Sequence, residues 1–211
     1  MEVDRPAPGE ELNTEAAPTR PRDAATVILL RGVADALEVL LVKRNPAQRF
    51  MGGAWVFPGG AVDAGEADGD HPHRVAGVRE VAEEAGIALP GPEALVPFSR
   101  WVTPAQIKIR FDTIFYLAEL PAGEEAQCDG EECVDAGWFT PQGALEAYRE
   151  ERIQLVFPTI KTLEQLAVHA SAAEALEAAR DSDVKPVEPR VVFGDRGARV
   201  LLPGEPGYGD A

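Results

Sequence analysis

Apolar positions along the chain follow two different periods. "ATVILLRG" (25–32) and "ALEVLLVKR" (36–44) are dense, branched apolar runs separated by a break around Ala34 and Asp35, and they predict two strands joined by a short turn. "GAWVFPGG" (53–60) predicts a third strand that stops at Pro58, since proline cannot donate to a sheet ladder and the glycines after it permit a tight turn. "LVPFSRWV", "IKIRFDTIFYLAEL" and "CVDAGWF" predict further strands, the second alternating at Ile107, Ile109 and Phe111.

The longer period appears first around "REVAEEAG" (79–86). At 100° per residue, Val75, Val78, Val81, Ala82 and Ala85 gather on one helix face and Glu80, Glu83 and Glu84 on the other, so the helix is expected to pack through its valines and turn its carboxylates outward. Pro72 suits its first turn and Gly86 its left-handed end. "TPQGALEAYREE" predicts a helix capped by Thr140, and "FPTIKTLEQLAVHA" and "SAAEALEAARD" predict two more that part near Ala170. "RVVFGDRGARVLL" predicts a hairpin turning at Asp195 to Gly197, which offers an edge for pairing with a second copy in a homodimer. Strands in hairpins, one helix between strands and helices toward the end predict an α+β fold or an α/β/α sandwich.

Composition narrows the function. The 211 residues carry a net charge of -16, and no basic run offers phosphates a counterion-releasing surface, so no nucleic-acid partner is expected. No apolar run reaches the length of a membrane span, and the acids and prolines of residues 1–22 do not read as a signal peptide; a soluble, cytoplasmic protein with a mobile N-terminal tail is expected. Cys128 and Cys133 are expected to be free thiols.

The acidic helix is costly as it stands. Glu80 and Glu84 form a like-charged i,i+4 pair, worth roughly 0.2–0.5 kcal/mol of destabilisation, and the helix dipole disfavours anions in the last turn. Arg79 offsets part of this by pairing with Glu83. A solvated acidic face is the plain explanation; the sharper one is a divalent cation, a hard ion that prefers carboxylate oxygens.

Context favours the cation. Gly60 is followed after five residues by Glu66, and then come Arg79, Glu80, Val81, Glu83, Glu84, Gly86 and Ile87. This arrangement resembles the Nudix hydrolase box, Gly-x5-Glu-x7-Arg-Glu-U-x-Glu-Glu-x-Gly-U with U aliphatic, and every fixed residue is present. Twelve residues rather than seven separate Glu66 from Arg79, and the extra five are placed at Ala67 to His71, in the loop. The resemblance implies a Nudix-type α/β/α sandwich with a mixed sheet over residues 23–150, a helical extension and hairpin over 151–211 packed on it, and hydrolysis of a small-molecule nucleoside diphosphate derivative. It implies Mg2+, or Mn2+ in its place, held by Glu80, Glu83, Glu84 and the Gly60 carbonyl, with Arg79 orienting them. Glu80 is the first choice for the base that activates water; Glu131, Glu132 and Asp135 offer a later-loop alternative, with Glu132 ranked highest. Glu66 is expected near the substrate.

Upstream, "LLVKRNPAQRFMGGAWVFPGG" (40–60) is similar to an element of the coenzyme A diphosphatases of this family, matching at Leu40, Leu41, Arg44, Arg49, Gly53, Phe57, Pro58, Gly59 and Gly60. Arg44 and Arg49 are thereby expected to bind substrate phosphates. Arg100, Lys108 and Arg110 face either substrate or solvent, His71 and His73 are expected to be solvated, and Trp101, Phe111 and Trp138 are expected in the core, with stacking on adenine as an alternative.

Overall fold

The computed structural model describes residues 11–13, 17–34, 36–194 and 197–209. Its first half contains β1 (Arg22–Arg31), β2 (Glu38–Arg44), β3 (Trp55–Val56), β4 (Gly59–Ala61), α1 (Ala64–Ala67) and α2 (Pro72–Ala85). There follow β5 (Val96–Val102), β6 (Phe111–Glu119), β7 (Cys133–Phe139), α3 (Pro141–Arg149), α4 (Phe157–Leu166) and α5 (Ala172–Arg180). The chain closes with β8 (Pro186–Val187), β9 (Arg190–Gly194) and β10 (Gly197–Leu201).

β1 is the centre of a mixed sheet. β6 runs parallel to it, from Arg22 beside Phe111 to Leu30 beside Glu119, and β5 lies antiparallel beyond β6. On its other edge β1 meets β2 only at Leu30 and Arg31; toward its start the two strands splay, and the segment 55–61 fills the gap. That segment was expected to be one strand ending at Pro58. It is two: β3 pairs with β2, the chain turns at Phe57 and Pro58, and β4 pairs with β1. Pro58 lacks an N–H, yet its carbonyl accepts from the Val27 amide, so the break costs the sheet little.

Side chains alternate across β1 and build two cores. Ala25, Val27 and Leu29 pack with Ala76, Val81 and Ala85 of α2; Ile28 and Leu30 pack with Leu145, Ile160, Leu163, Leu166 and Leu176 of α3, α4 and α5. Each large aliphatic side chain so buried contributes about 1.5–3 kcal/mol. The result is helix, sheet, helix, as expected, with the residues beyond 150 sharing a core with the central strand. Thr140 caps α3 by accepting from the Gly143 amide, and Ser171 caps α5 by accepting from that of Glu174.

Four expectations change. The buried side of α2 is Ala76, Gly77, Glu80, Val81, Glu84 and Ala85, whereas Val75 is exposed. The reason is Gly77: a Cβ there would stand 2.9 Å from Val27 Cγ2, so only glycine lets the helix approach the sheet this closely, and the face that approaches carries two glutamates inward. The alternation at Ile107 and Ile109 does not extend β6, which begins at Phe111; Ile107 is held by an isolated bridge to Leu12 and Ile109 is exposed. Residues 11–13 and 17–21, expected in a mobile tail, lie on this same 104–110 loop, with Lys108 N donating to Glu11 O, Asn13 N to Gln106 O and Thr19 Oγ1 to Lys108 O. The proposed insertion at 67–71 follows a short helix, α1, that the sequence reading placed in loop. β9 and β10 form the expected hairpin as a separate two-stranded sheet, and its turn at residues 195 and 196 lies outside the described residues.

Candidate active site

The tight end of the site is the Gly59–Gly60 turn set against α2. Glu84, 2% exposed, accepts from the Gly59 amide at 2.9 Å through Oε2, and Arg44 Nη1 approaches its Oε1 at 3.4 Å. Glu80 faces Gly60 so closely that a Cβ there would fall 2.2 Å from Glu80 Oε1; glycine is required by the carboxylate, since its backbone is not left-handed. Burial raises the pKa of Glu80, and neighbouring Glu83 and Glu132 add to this against the pull of Arg79. Burial likewise pushes Glu84 up to about 7, helped by Glu80 and Glu132, while the Gly59 amide and Arg44 only partly oppose it. The cost expected of a like-charged pair is therefore present in a stronger, desolvated form.

Arg79 is the hub that holds the remaining acids. Its Nε donates to Glu66 at 2.9 Å, Nη1 to Glu80 at 2.7 Å and Glu83 at 2.9 Å, and Nη2 to the Ala61 carbonyl at 3.0 Å. This fork joins β4, α1 and α2, which a lysine's single nitrogen could not do. Glu66 is held within the box: its carboxylate accepts from Arg79 and from the Asp63 amide at the start of α1, and the Arg79 bond lowers its pKa. Glu83 is the outermost of the three box glutamates, its side chain 58% exposed.

A cavity of about 860 Å3 opens beside this turn, lined there by Gly59, Gly60, Ala61 and Arg44. Its floor is the start of the sheet face that α3, α4 and α5 leave uncovered: Ala24 and Thr26 of β1, Phe111, Thr113 and Phe115 of β6, and Trp101 of β5. Leu12, Phe157, Val191 and Val200 line it as well.

The other expected residues are placed as follows. Arg49 is exposed, pairs with Glu11 and does not line the cavity; Lys108 reaches the same Glu11 at 3.3 Å. Glu131 and Glu132 are exposed on a loop whose amides at 131, 132 and 133 donate to Asp129, and Glu132 acts on Glu80 and Glu84 through its charge. Asp135 is exposed on β7. Arg100 grips Asp112 with two bonds of 2.7 Å, and buried Arg110 ties Thr103 and Thr19 carbonyls to Glu188; both are structural. His73 stands 3.7 Å from Asp23, and His71 precedes α2 with a left-handed backbone. Trp101 is in the core and also in the cavity wall, Phe111 lies on the cavity floor, and Trp138 is partly buried under Arg31. Both cysteines are free.

Two participants escaped the sequence reading. Gly59, marked in the sequence as part of the turn and of the 40–60 element but given no role, supplies an amide to Glu84. Arg22 lines the cavity and stacks on Phe111 at 4.7 Å, and nothing local in the sequence marks it.

Comparison with known proteins agrees with this geometry. Residues 20–159 match the NUDIX domain family. A protein of Caenorhabditis elegans named as nudix hydrolase 7 is 26% identical over 69% of this chain and 60% of its own length, so the chain spans less than two thirds of that relative. The human acyl-coenzyme A diphosphatase NUDT19 is 24% identical over 90% of this chain and 81% of its own. The crystal structure of a Nudix hydrolase from Alicyclobacillus acidocaldarius superposes with a TM-score of 0.68 at 27% identity, covering 78% of this chain and 99% of that one. No helix of the described residues is long and apolar enough to cross a membrane. With the domain match spanning well over half its length, and with the box glutamates and Arg79 drawn together on one helix, the chain belongs to the Nudix family of hydrolases.

Proposed function

We propose that this Nudix hydrolase is a diphosphatase of coenzyme A or its acyl thioesters, adding water across the pyrophosphate to give 3′,5′-ADP and the (acyl-)phosphopantetheine. The observation that carries the reading is the burial of Glu80 and Glu84 against the Gly59–Gly60 turn, at the point where the cavity begins. Two carboxylates whose pKa values burial raises, that of Glu84 also through the charge of Glu80, are poised for a positive group that the chain itself supplies only in part.

The donor set fits a divalent cation such as Mg2+: Glu80, Glu83, Glu84 and the Gly60 carbonyl are hard oxygens, and hydrolases of this family generally use such metals. Among the described residues no three acidic, histidine or cysteine side chains form a ready-made ion cage. Glu80 and Glu83 are held by Arg79 and Glu84 by Gly59, so these bonds keep the ligands in place and would be exchanged on loading. When bound, the ion offsets pyrophosphate charge and lowers the pKa of water. Glu80 is the proton acceptor we favour, because it is buried at the turn, whereas Glu132 is exposed. Arg44, at the cavity wall beside Glu84, is the phosphate-binding arginine. Arg79 and Glu66 are positioning residues.

The coenzyme A assignment draws on the matched element at 40–60 and on the likeness to the human acyl-coenzyme A diphosphatase. The position of Arg49 on Glu11, away from the cavity, favours a second reading in which the same chemistry serves another nucleoside diphosphate derivative, such as ADP-ribose. A phosphate-release screen over coenzyme A, ADP-ribose and NADH, with and without Mg2+, decides between them. We expect Mg2+-dependent turnover with coenzyme A preferred, and a drop of about 10²-fold or more in kcat for Glu80→Gln. Equal rates on ADP-ribose would reject the substrate, and full activity in the variant would reject the site.

A further inference from the structure

We propose that the far end of the cavity seats the acyl chain of a coenzyme A thioester, and that Leu12, Val191 and Val200, all outside the matched domain, set how long a chain it takes. This rests on the diphosphatase reading and adds to it an acyl-binding site, with the residues that build it. The cavity crosses the sheet strand by strand, from Gly59 on β4 to Thr26 on β1, Phe115 on β6 and Trp101 on β5, with β8 paired beyond. At about 4.8 Å per strand, the three steps from β4 to β5 span roughly 14 Å, more than a diphosphate needs. Among the described residues its charged lining residues are Arg22 and Arg44, on β1 and β2, and the walls from β5 onward carry none. A pyrophosphate at the glycine turn thus leaves a long apolar space that its leaving group must fill.

The residues that close this space are specific to the chain's flanking segments. The domain match covers residues 20–159, yet Leu12 on one side and Val191 and Val200 of the β9–β10 hairpin on the other complete the wall. Beside the hydroxyls of Thr103 and Thr159, the wall holds Trp101, whose Nε1 is buried and without a hydrogen-bond partner among the described residues. An unmade buried donor is costly, and a thioester or amide carbonyl on the arm would satisfy it.

Calorimetric titration of the full chain in EDTA, where nothing turns over, tests the site. Butanoyl-, hexanoyl- and octanoyl-coenzyme A should bind with a Kd that falls about fourfold per added methylene. Val191→Asp and Val200→Asp should flatten that dependence, whereas Val168→Asp, at an exposed position away from the cavity, should keep it. Val191→Ala, which adds no charge, should weaken it if the aspartates disturb the hairpin. Affinity independent of chain length in the natural protein, or dependence that survives all three hairpin variants, overturns the proposal. Coenzyme A turnover with flat chain dependence overturns this inference alone; no hydrolysis of any diphosphate removes the diphosphatase reading and this one with it.

Discussion

Gly60 shows how little room a working side chain here has. Alanine at this position would press its methyl into the Glu80 carboxylate, within 2.2 Å of Oε1, and the carboxylate would have to leave the turn. We expect Gly60→Ala to keep its fold, since the backbone there is not left-handed, and to lose about 10²-fold in kcat, the penalty of a misplacement near 1 Å. Steady-state kinetics beside a thermal melt checks both halves. The identities of Glu80, Glu83, Glu84 and Arg79 were legible because their spacing is rigid, whereas their direction was not. Hydrophobicity favoured Val75, Val78, Val81, Ala82 and Ala85 as the packing face; Val78, Val81 and Ala85 do meet the core, but packing against a sheet rewards the smallest side chains, and Ala76 and Gly77 are buried where Val75 and Ala82 are exposed. Arg49 is a different case: its match in spacing says nothing of its surroundings, and it stands exposed beside Glu11 rather than in the cavity lining.

At the scale of elements, α2 is the part most exposed to error. Gly77→Val should raise local helix propensity yet drive a branched side chain into Val27 and Leu95, which stand 2.9 and 3.2 Å from where its Cβ would be. Overpacking of this kind costs about 1–3 kcal/mol, and urea denaturation should show it as a lowered midpoint with an unchanged m-value. Strands with dense apolar runs, and helices with a hydroxyl cap, were readable from sequence because each carries its signal locally. The division of 55–61 between two partners was not, since it depends on where β1 and β2 part. The same holds for β8, two residues long and defined by its place beside β5.

For the whole molecule, the buried acids tie stability to pH. Glu84 titrates near its ordinary value of 4.5 when unfolded and at about 7 when folded, and Glu80 shifts the same way. Between those values the folded state holds more protons than the unfolded one, so stability falls as pH rises through this window. Asp112 and Glu66, whose pKa values are lowered, act in the opposite sense and at lower pH. In EDTA the Tm at pH 5.5 should therefore exceed that at pH 8, as roughly placed by the same linkage, and Mg2+ at pH 8 should close part of the gap. Differential scanning calorimetry at both pH values measures it, and a Tm that climbs with pH would refute the burial of these charges.

The parallel pairing of β1 with β6 carries one more consequence. Arg22 pairs with Phe111 across the intervening splayed hairpin, acidic helix and β5, so the central ladder closes a very long loop. Such distant pairing is slow to form, because entropy is spent before contacts repay it. The proposed substrate cavity lies on that ladder, so we expect it to form late: a chain that holds the acidic helix without the ladder has no floor on which a diphosphate could rest.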